Sequence, residues 1–140
     1  MAQSLQLEVA TPTGLVLRTE CEWVQAPSVE GEFGILPNHL PLLAALKCGV
    51  LKYRTAGKEH VVAIGPGFIE AEPDRVELLT DLFALPTAID VEQVKQELTK
   101  AEEELRKFPE AYEGPEYNEL QRNVDWAHAR LIAAEIAERS

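Results

Sequence analysis

Near Pro86 the spacing of apolar residues changes from two to between three and four, and no other feature constrains the possible folds as tightly. Before that point Leu5, Leu7 and Val9 alternate with Gln6 and Glu8. Leu15, Leu17, Thr19, Cys21 and Trp23 alternate with Arg18, Glu20 and Glu22, and Leu51 and Tyr53 with Lys52 and Arg54. Successive side chains on a strand point to opposite sides, so this is the pattern of strands with one dry and one wet face. Turn-forming clusters interrupt it at short intervals: Thr11-Pro12-Thr13-Gly14, Pro27-Ser28, Pro37-Asn38, Ala56-Gly57, Gly65-Pro66-Gly67 and Pro73-Asp74. The expectation for residues 1–86 is an antiparallel β-sandwich or barrel of many short strands.

After Pro86, Val91, Val94, Leu98, Ala101, Leu105 and Phe108 fall on one stripe of a helix. Asp90, with Gln93 three residues on, has the form of a capping box, and Asp90 and Glu92 suit the positive end of the helix dipole. Pro109 is expected to end this helix, and Pro115 to open a second in which Leu120, Val124, Ala127, Leu131 and Ala134 form a matching stripe. The connection is short, so residues 87–140 are predicted to form an antiparallel helical hairpin. The second helix carries a further apolar strip: Trp126, Ala129, Ala133 and Ile136. That strip fits either the β body or a separate partner, and composition does not decide between them.

Charge narrows the function. Thirteen Lys and Arg stand against 24 Asp and Glu, a formal −11, with 6 basic and 11 acidic residues in 1–86 and 7 and 13 in 87–140. Neither part offers the basic face that phosphate backbones or anionic lipids attract, which excludes nucleic acid as an expected partner. The longest apolar stretches are far shorter than the roughly 20 residues of a membrane helix. No basic start with an apolar run opens the chain, so no export or organelle signal is expected. Cys21 and Cys48 form no Cys-x-x-Cys motif and are read as small core residues.

A search for catalytic groups finds little. His39, His60 and His128 do not stand at metal-ligand spacing with one another or with Cys or carboxylates. There is no Gly-x-Ser-x-Gly elbow and no phosphate loop, and Gly65-Pro66-Gly67 lacks a following Lys or helix and is a turn. The acidic run at 102–104 is a solvated helix face. Catalysis by this chain alone is not expected. What stands out is a rigid, residue-specific corner: Glu30-Gly31-Glu32-Phe33-Gly34-Ile35-Leu36-Pro37-Asn38-His39-Leu40-Pro41-Leu42-Leu43. Its glycines permit tight backbone and its prolines stiffen the second half. The plain reading is a bent strand and a corner; a stiff exposed corner is also a good docking surface, because little entropy is lost on binding.

This segment, with Leu46, Gly49 and Leu51 downstream, resembles the signature of the epsilon subunit of bacterial F-type ATP synthases. Gly67-Phe68-Ile69-Glu70 with Val76, Leu78 and Leu79, the Ile89-Asp90 entry to the hairpin, and Ala129-Arg130-Leu131 with Ala133 extend the resemblance over essentially the whole chain. It implies a ten-stranded β-sandwich followed by a two-helix hairpin, in a non-catalytic central-stalk subunit of a proton-translocating complex. The sandwich would grip the gamma subunit and rest on the c-subunit rotor ring, and the hairpin would restrain ATP hydrolysis. The implied location is peripheral, on the cytoplasmic face of the bacterial inner membrane. By the same resemblance Glu32 lies in the loop facing the rotor ring. His39, with Pro41 and Leu42 beside it, lies on the surface meeting gamma. Arg122, Arg130 and Arg139, with Trp126, are candidates to meet the alpha and beta subunits of the catalytic head.

One departure bears on cofactors. Family members that bind ATP carry "Ile/Leu-Asp-x-x-Arg-Ala" and two arginines four apart in the second helix. Here Gln93 stands in place of the first arginine and Trp126 in place of the second, leaving only Arg130. With two phosphate-pairing cations gone, weak or absent ATP binding and no other cofactor are expected. Two further classes stay open: a free sandwich adaptor that dimerises through its helices, and a small β-barrel enzyme, against which the histidine count speaks.

Overall fold

The computed structural model describes residues 3–109 and 112–139. Ten strands come first: β1 Leu5–Thr11, β2 Gly14–Cys21, β3 Trp23–Ser28, β4 Gly31–Ile35, β5 Leu42–Leu46, β6 Gly49–Thr55, β7 Lys58–Ile64, β8 Gly67–Glu72, β9 Arg75–Thr80 and β10 Phe83–Ala84. A single 3-10 turn, Pro86–Ala88, leads to helices α1, Val91–Leu105, and α2, Pro115–Arg139. The strands pair in the order β10-β7-β6-β3-β5-β8-β9-β1-β2, with β4 on the other edge of β3. Every neighbouring pair is antiparallel except β1 and β9.

The two layers arise because β3 changes partners along its length. Trp23, Val24 and Gln25 pair with β6, whereas Ser28 pairs with Leu46 of β5. Pro27, which has no N–H to give a ladder, stands at this handover, where a sheet tolerates it. The alternation expected from the sequence then fills the space between layers. Leu5, Leu7 and Val9 of β1, Val24 and Ala26 of β3, Ile35, Leu51, Val62, Ile64, Ile69, Val76 and Leu78 are all buried in one core. Cys21 belongs to that core, as expected, and burial, with Glu22 beside it, pushes its thiol up to about 11.

Two local expectations are corrected. The alternation puts Leu15 on the dry face of its strand, yet it is 52% exposed. The β1–β2 register slips between Val9 and Ala10, so Val9 faces Leu17 while Ala10 faces Leu15. One extra residue turns the end of the strand outward, as a bulge does. The second concerns α1, which stops at Leu105 rather than reaching Phe108. A following proline disfavours helical backbone in the residue before it. Phe108 instead stacks on Tyr112, ring centres 4.9 Å apart, and meets Tyr117 edge-on at the hairpin tip. The start of α1 agrees with the capping expectation, with Asp90 Oδ1 accepting from the Gln93 N–H at 3.2 Å.

The helices are layered unequally. α1 packs mainly on α2, and α2 packs on β6, β7 and the 3-10 turn. Val94 and Ala101 are the buried residues of α1; Val124 and Ala127 are buried on the stripe of α2 expected to face it. The second strip of α2 lies on the sandwich. Ala129 and Ala133 are buried against Val50 and Ala63, with Trp126, Ile136, Cys48, Val61, Ala84 and Ile89 around them. Of the two surfaces the strip could have covered, it covers the β body. An alanine contributes a single methyl, about 0.8 kcal/mol by transfer, against about 1.5–3 kcal/mol for a buried Leu or Val. The seat of α2 is therefore shallow.

Candidate functional site

No three His, Cys, Asp or Glu side chains gather at a metal-binding distance among the described residues. His60 stacks on Tyr53 at 5.3 Å, and the His39 ring sits with Nδ1 2.6 Å from the Leu40 carbonyl. His128 is exposed on α2. The features that remain are surfaces, and they fall into two groups.

The first is the signature corner. Gly31 needs its φ of +123° to turn from β3 into β4, a conformation L side chains rarely adopt. Glu32 is exposed beyond it, accepting from Gln25 Nε2 at 2.8 Å. Gly34 is different: it has no left-handed φ, and an added Cβ would meet nothing nearer than the Val24 carbonyl oxygen at 3.9 Å. Nothing in the fold of this chain requires glycine there. Glycine on an exposed strand is the residue that lets another backbone come close. The corner then runs through Asn38, at φ +68°, whose N–H donates to the Pro73 carbonyl at 2.7 Å and so fastens it to the β8–β9 turn. Glu32 and His39 thus stand toward opposite ends of β4. Pro41 is exposed, while Leu42 turns inward and packs against the core. The outward neighbours are Leu36, Leu40 and Leu43, at 63%, 80% and 71% exposure.

The second group is the hairpin and its seat. Trp126 and Arg130 come together, the guanidinium carbon 5.2 Å from the centre of the indole. Arg130 also pairs with Glu97 of α1 at 2.8 Å and borders a groove of about 490 Å³ between the helices. Arg122 reaches Asp81 of the body at 3.4 Å, and Arg139 pairs with Glu135 one turn back on its own helix. All three arginines are thereby neutralised by this chain's own carboxylates. Asp81 does not stand out in the sequence; its role comes from the body residue that α2 happens to cross.

Cys48 lies under this clasp, partly buried. Burial first, then Asp125 and Asp81, push its thiol up to about 11, with Arg122 acting the other way. This gives an unambiguous reporter. Arg122→Gln removes the charge that favours the thiolate, so with α2 seated it slows alkylation of Cys48. If Arg122 helps hold α2 down, the substitution instead uncovers the thiol. An exposed pair of this kind contributes about 0–1 kcal/mol. The expected result is iodoacetamide labelling of Cys48 about two- to five-fold faster in Arg122→Gln, Cys21 being silent in the core. Slower labelling would show that the pair does not fasten the helix.

Sequence reasoning also missed a row of apolar side chains on the sheet that α2 leaves bare. Leu15, Phe68 and Leu79 are each more than half exposed. Phe68 and Leu79 face each other on the consecutive strands β8 and β9, but Leu15 lies far away in sequence on β2, and only the register through β1 brings it beside them.

Comparison with known proteins gives the same outline. The family described as ATP synthase, Delta/Epsilon chain, beta-sandwich domain matches residues 4–86. The ATP synthase epsilon chain of Nitratidesulfovibrio vulgaris (strain DP4) is 39% identical over 110 residues, covering 79% of this chain and 82% of that one. ATP synthase epsilon chain 2 of Syntrophotalea carbinolica is 36% identical over 134 residues, 96% of each. Among solved structures, a chain of the Euglena gracilis mitochondrial ATP synthase (OSCP/F1/c-ring, rotational state 1) superposes with a TM-score of 0.81. It is 20% identical over 96% of this chain and 83% of that one, and so supports the fold.

Proposed function

This chain belongs to the ATP synthase epsilon family, a non-catalytic subunit of that complex, and from that premise we propose that it couples the rotor ring to the catalytic head and restrains ATP hydrolysis through its hairpin. The sandwich, residues 1–86, is the part that transmits torque, seated on the gamma subunit and the c-subunit ring. The hairpin, residues 87–140, is the regulatory part. The observation that carries this division is the contrast between the two packings. The sandwich is closed by a large, contiguous core, whereas the hairpin rests on it through two buried alanines, the partly buried Trp126 and Ile136, and a half-exposed ion pair. A switch needs two arrangements separated by only a few kcal/mol, and such a seat supplies the docked one.

In this reading Glu32 meets the ring, and His39 and Pro41 meet gamma with the exposed leucines of the corner. Leu42 acts from beneath by holding the corner on the core. Arg122, Arg130 and Arg139 exchange Asp81, Glu97 and Glu135 for acidic groups on the alpha and beta subunits when the hairpin rises. The raised state must therefore replace existing pairs rather than relieve bare charges. No helix among the described residues is long and apolar enough to cross a membrane. Peripheral attachment through the complex, on the cytoplasmic face of the inner membrane, is the corresponding location. Purification of the complex through a tag on this chain is expected to bring gamma, alpha, beta and the ring subunit with it. Their complete absence would overturn the assignment.

The hairpin groove is not built for a nucleotide. Gln93 is exposed at the start of α1, Trp126 lies beneath Arg130, and Glu97 already occupies that guanidinium. An incoming phosphate would have to displace a carboxylate with only one cation to receive it. Titration calorimetry of the purified chain with ATP is expected to show no binding in the micromolar range. A low-micromolar dissociation constant would refute this.

A further inference from the structure

Two seams hold the hairpin, and they are built from different residues. Between the helices, Val94 and Ala101 of α1 are 3% and 7% exposed, and Val124 and Ala127 are buried on the stripe of α2 that the sequence turns toward α1. At the tip three rings close the pair. Phe108, just past α1, stacks on Tyr112 and meets Tyr117 of α2 edge-on at 5.8 Å, and Tyr112 meets Tyr117 at 6.4 Å. Aromatic pairs in these arrangements attract beyond the area they bury. Gly114 leaves room for the cluster, since a Cβ there would lie 2.7 Å from the Tyr112 hydroxyl oxygen. The seam between α2 and the sandwich is thinner: Ala129 and Ala133, with Trp126 and Ile136 beside them, and the half-exposed Arg122–Asp81 pair.

We propose that the hairpin leaves the body as one closed unit, its helices clamped at the tip by Phe108, Tyr112 and Tyr117, swinging about the 3-10 turn Pro86–Ala88. The proposal rests on the reading of the hairpin as the regulatory part, and it says which of the two seams opens.

Three further observations favour this order. First, α1 packs mainly on α2, so it has no other platform once α2 departs. Left alone it would be a helix of 15 residues, a length at which isolated helices are marginal in water. Second, the turn is suited to a swing. Leu85 and Thr87 are exposed, and the backbone bonds from Ala88 N–H to the Leu85 carbonyl, 2.9 Å, and from Ile89 N–H to the Pro86 carbonyl, 3.2 Å, close within the turn itself. Third, Arg130 borders the groove between the helices, so it can trade Glu97 for another carboxylate without the helices parting. Rising therefore uncovers the strip by which α2 was seated and keeps its seam with α1 covered.

The order of opening is read in the isolated full-length chain by alkylation of two thiols, each rate divided by that of the same thiol in the unfolded chain. Cys48 lies under the seat, and the thiol introduced by Ala101→Cys lies in the seam between the helices. Cys48 is expected to label about ten-fold faster, because the less stable seam opens more often. Phe108→Ala is expected to speed labelling at position 101 about three-fold or more and to leave Cys48 near the parent rate. Equal labelling at the two positions, or faster labelling at 101, overturns the proposal; Phe108→Ala without effect at 101 overturns the clamp.

In the complex, with Cys48 replaced by alanine, a short bismaleimide joins Lys100→Cys to Asn123→Cys, which line one groove from opposite helices. This bridge is expected to leave the restraint on hydrolysis within about two-fold of the parent, whereas bridging Asp81→Cys to Arg122→Cys abolishes it. Restraint lost on bridging 100 to 123 would show that the helices must part, against the proposal. If hydrolysis responds neither to removal of the hairpin nor to either bridge, the regulatory reading fails, and the labelling order still decides which seam opens.

Discussion

Removing residues 88–140 is expected to leave a folded sandwich and to raise ATP hydrolysis by the reassembled complex about five-fold or more, the effect of a coupling free energy of about 1 kcal/mol. The folding half of this rests on where the core lies. Every residue of the main cluster, from Leu5 to Leu78, together with the packed neighbours Leu17, Phe33, Leu42, Ala44 and Phe83, precedes the cut. What truncation uncovers is the shallow patch around Val50, Val61, Ala63 and Ala84. The hydrolysis half rests on the regulatory reading of the hairpin. A cooperative thermal transition and a dispersed amide spectrum check the first, and steady-state hydrolysis with and without the hairpin checks the second. A truncated chain that cannot fold would contradict the two-part organisation. Unchanged hydrolysis would remove the inhibitory role and leave the organisation intact.

The second large effect is expected at Gly67. A Cβ there would collide with the Leu79 carbonyl oxygen and lie 3.0 Å from Thr80 Cα. Both are backbone atoms of the paired strand, so no side chain can rotate away, and Gly67→Ala must force β8 from β9 where Gly67 faces Thr80. That pairing also anchors Thr80, whose hydroxyl donates to the Pro66 carbonyl at 3.0 Å. Overpacking typically costs about 1–3 kcal/mol, and a backbone obstruction belongs at the upper end. With about 4–8 °C per kcal/mol for a unit of this size, the Tm is expected to fall by about 10 °C or more. Gly34→Ala, where the nearest atom is 3.9 Å away, serves as the matched control and should leave the Tm nearly unchanged. Equal melting of the two variants would show that the β8 entry yields more easily than its geometry indicates.

The contrast between these two glycines also shows what a sequence can reveal. Both belong to segments that resemble the family, but only the structure separates one demanded by a neighbouring carbonyl from one the fold could dispense with. Local information was legible: the change of period near Pro86, the Asp90 cap, and Pro115 at the start of α2 all depend on residues a few positions apart. Non-local information was not. The outward turn of Leu15 depends on a slip in its pairing with β1, and its place beside Phe68 and Leu79 depends on the parallel join of β1 to β9. The second strip on α2 was visible as a strip, yet its alanines fit a sheet or a partner equally well. The arginines were visible as charges, but their partners Asp81 and Glu97 lie 41 and 33 residues away.

The order of packing has a consequence for biosynthesis. α2 is the inner helix and α1 the outer, so the layers are not stacked in the order of the chain. The ribosome releases every strand of the body first, then a helix with little to hold on to, and only afterwards the helix that fills the seat. During that interval Val50 and Ala63 stay uncovered on a nascent chain whose barrel has already closed, and α1 must wait for its platform. Halting synthesis once the chain has cleared the exit tunnel to a point between residues 105 and 115 should therefore capture a protease-resistant body carrying a protease-sensitive tail.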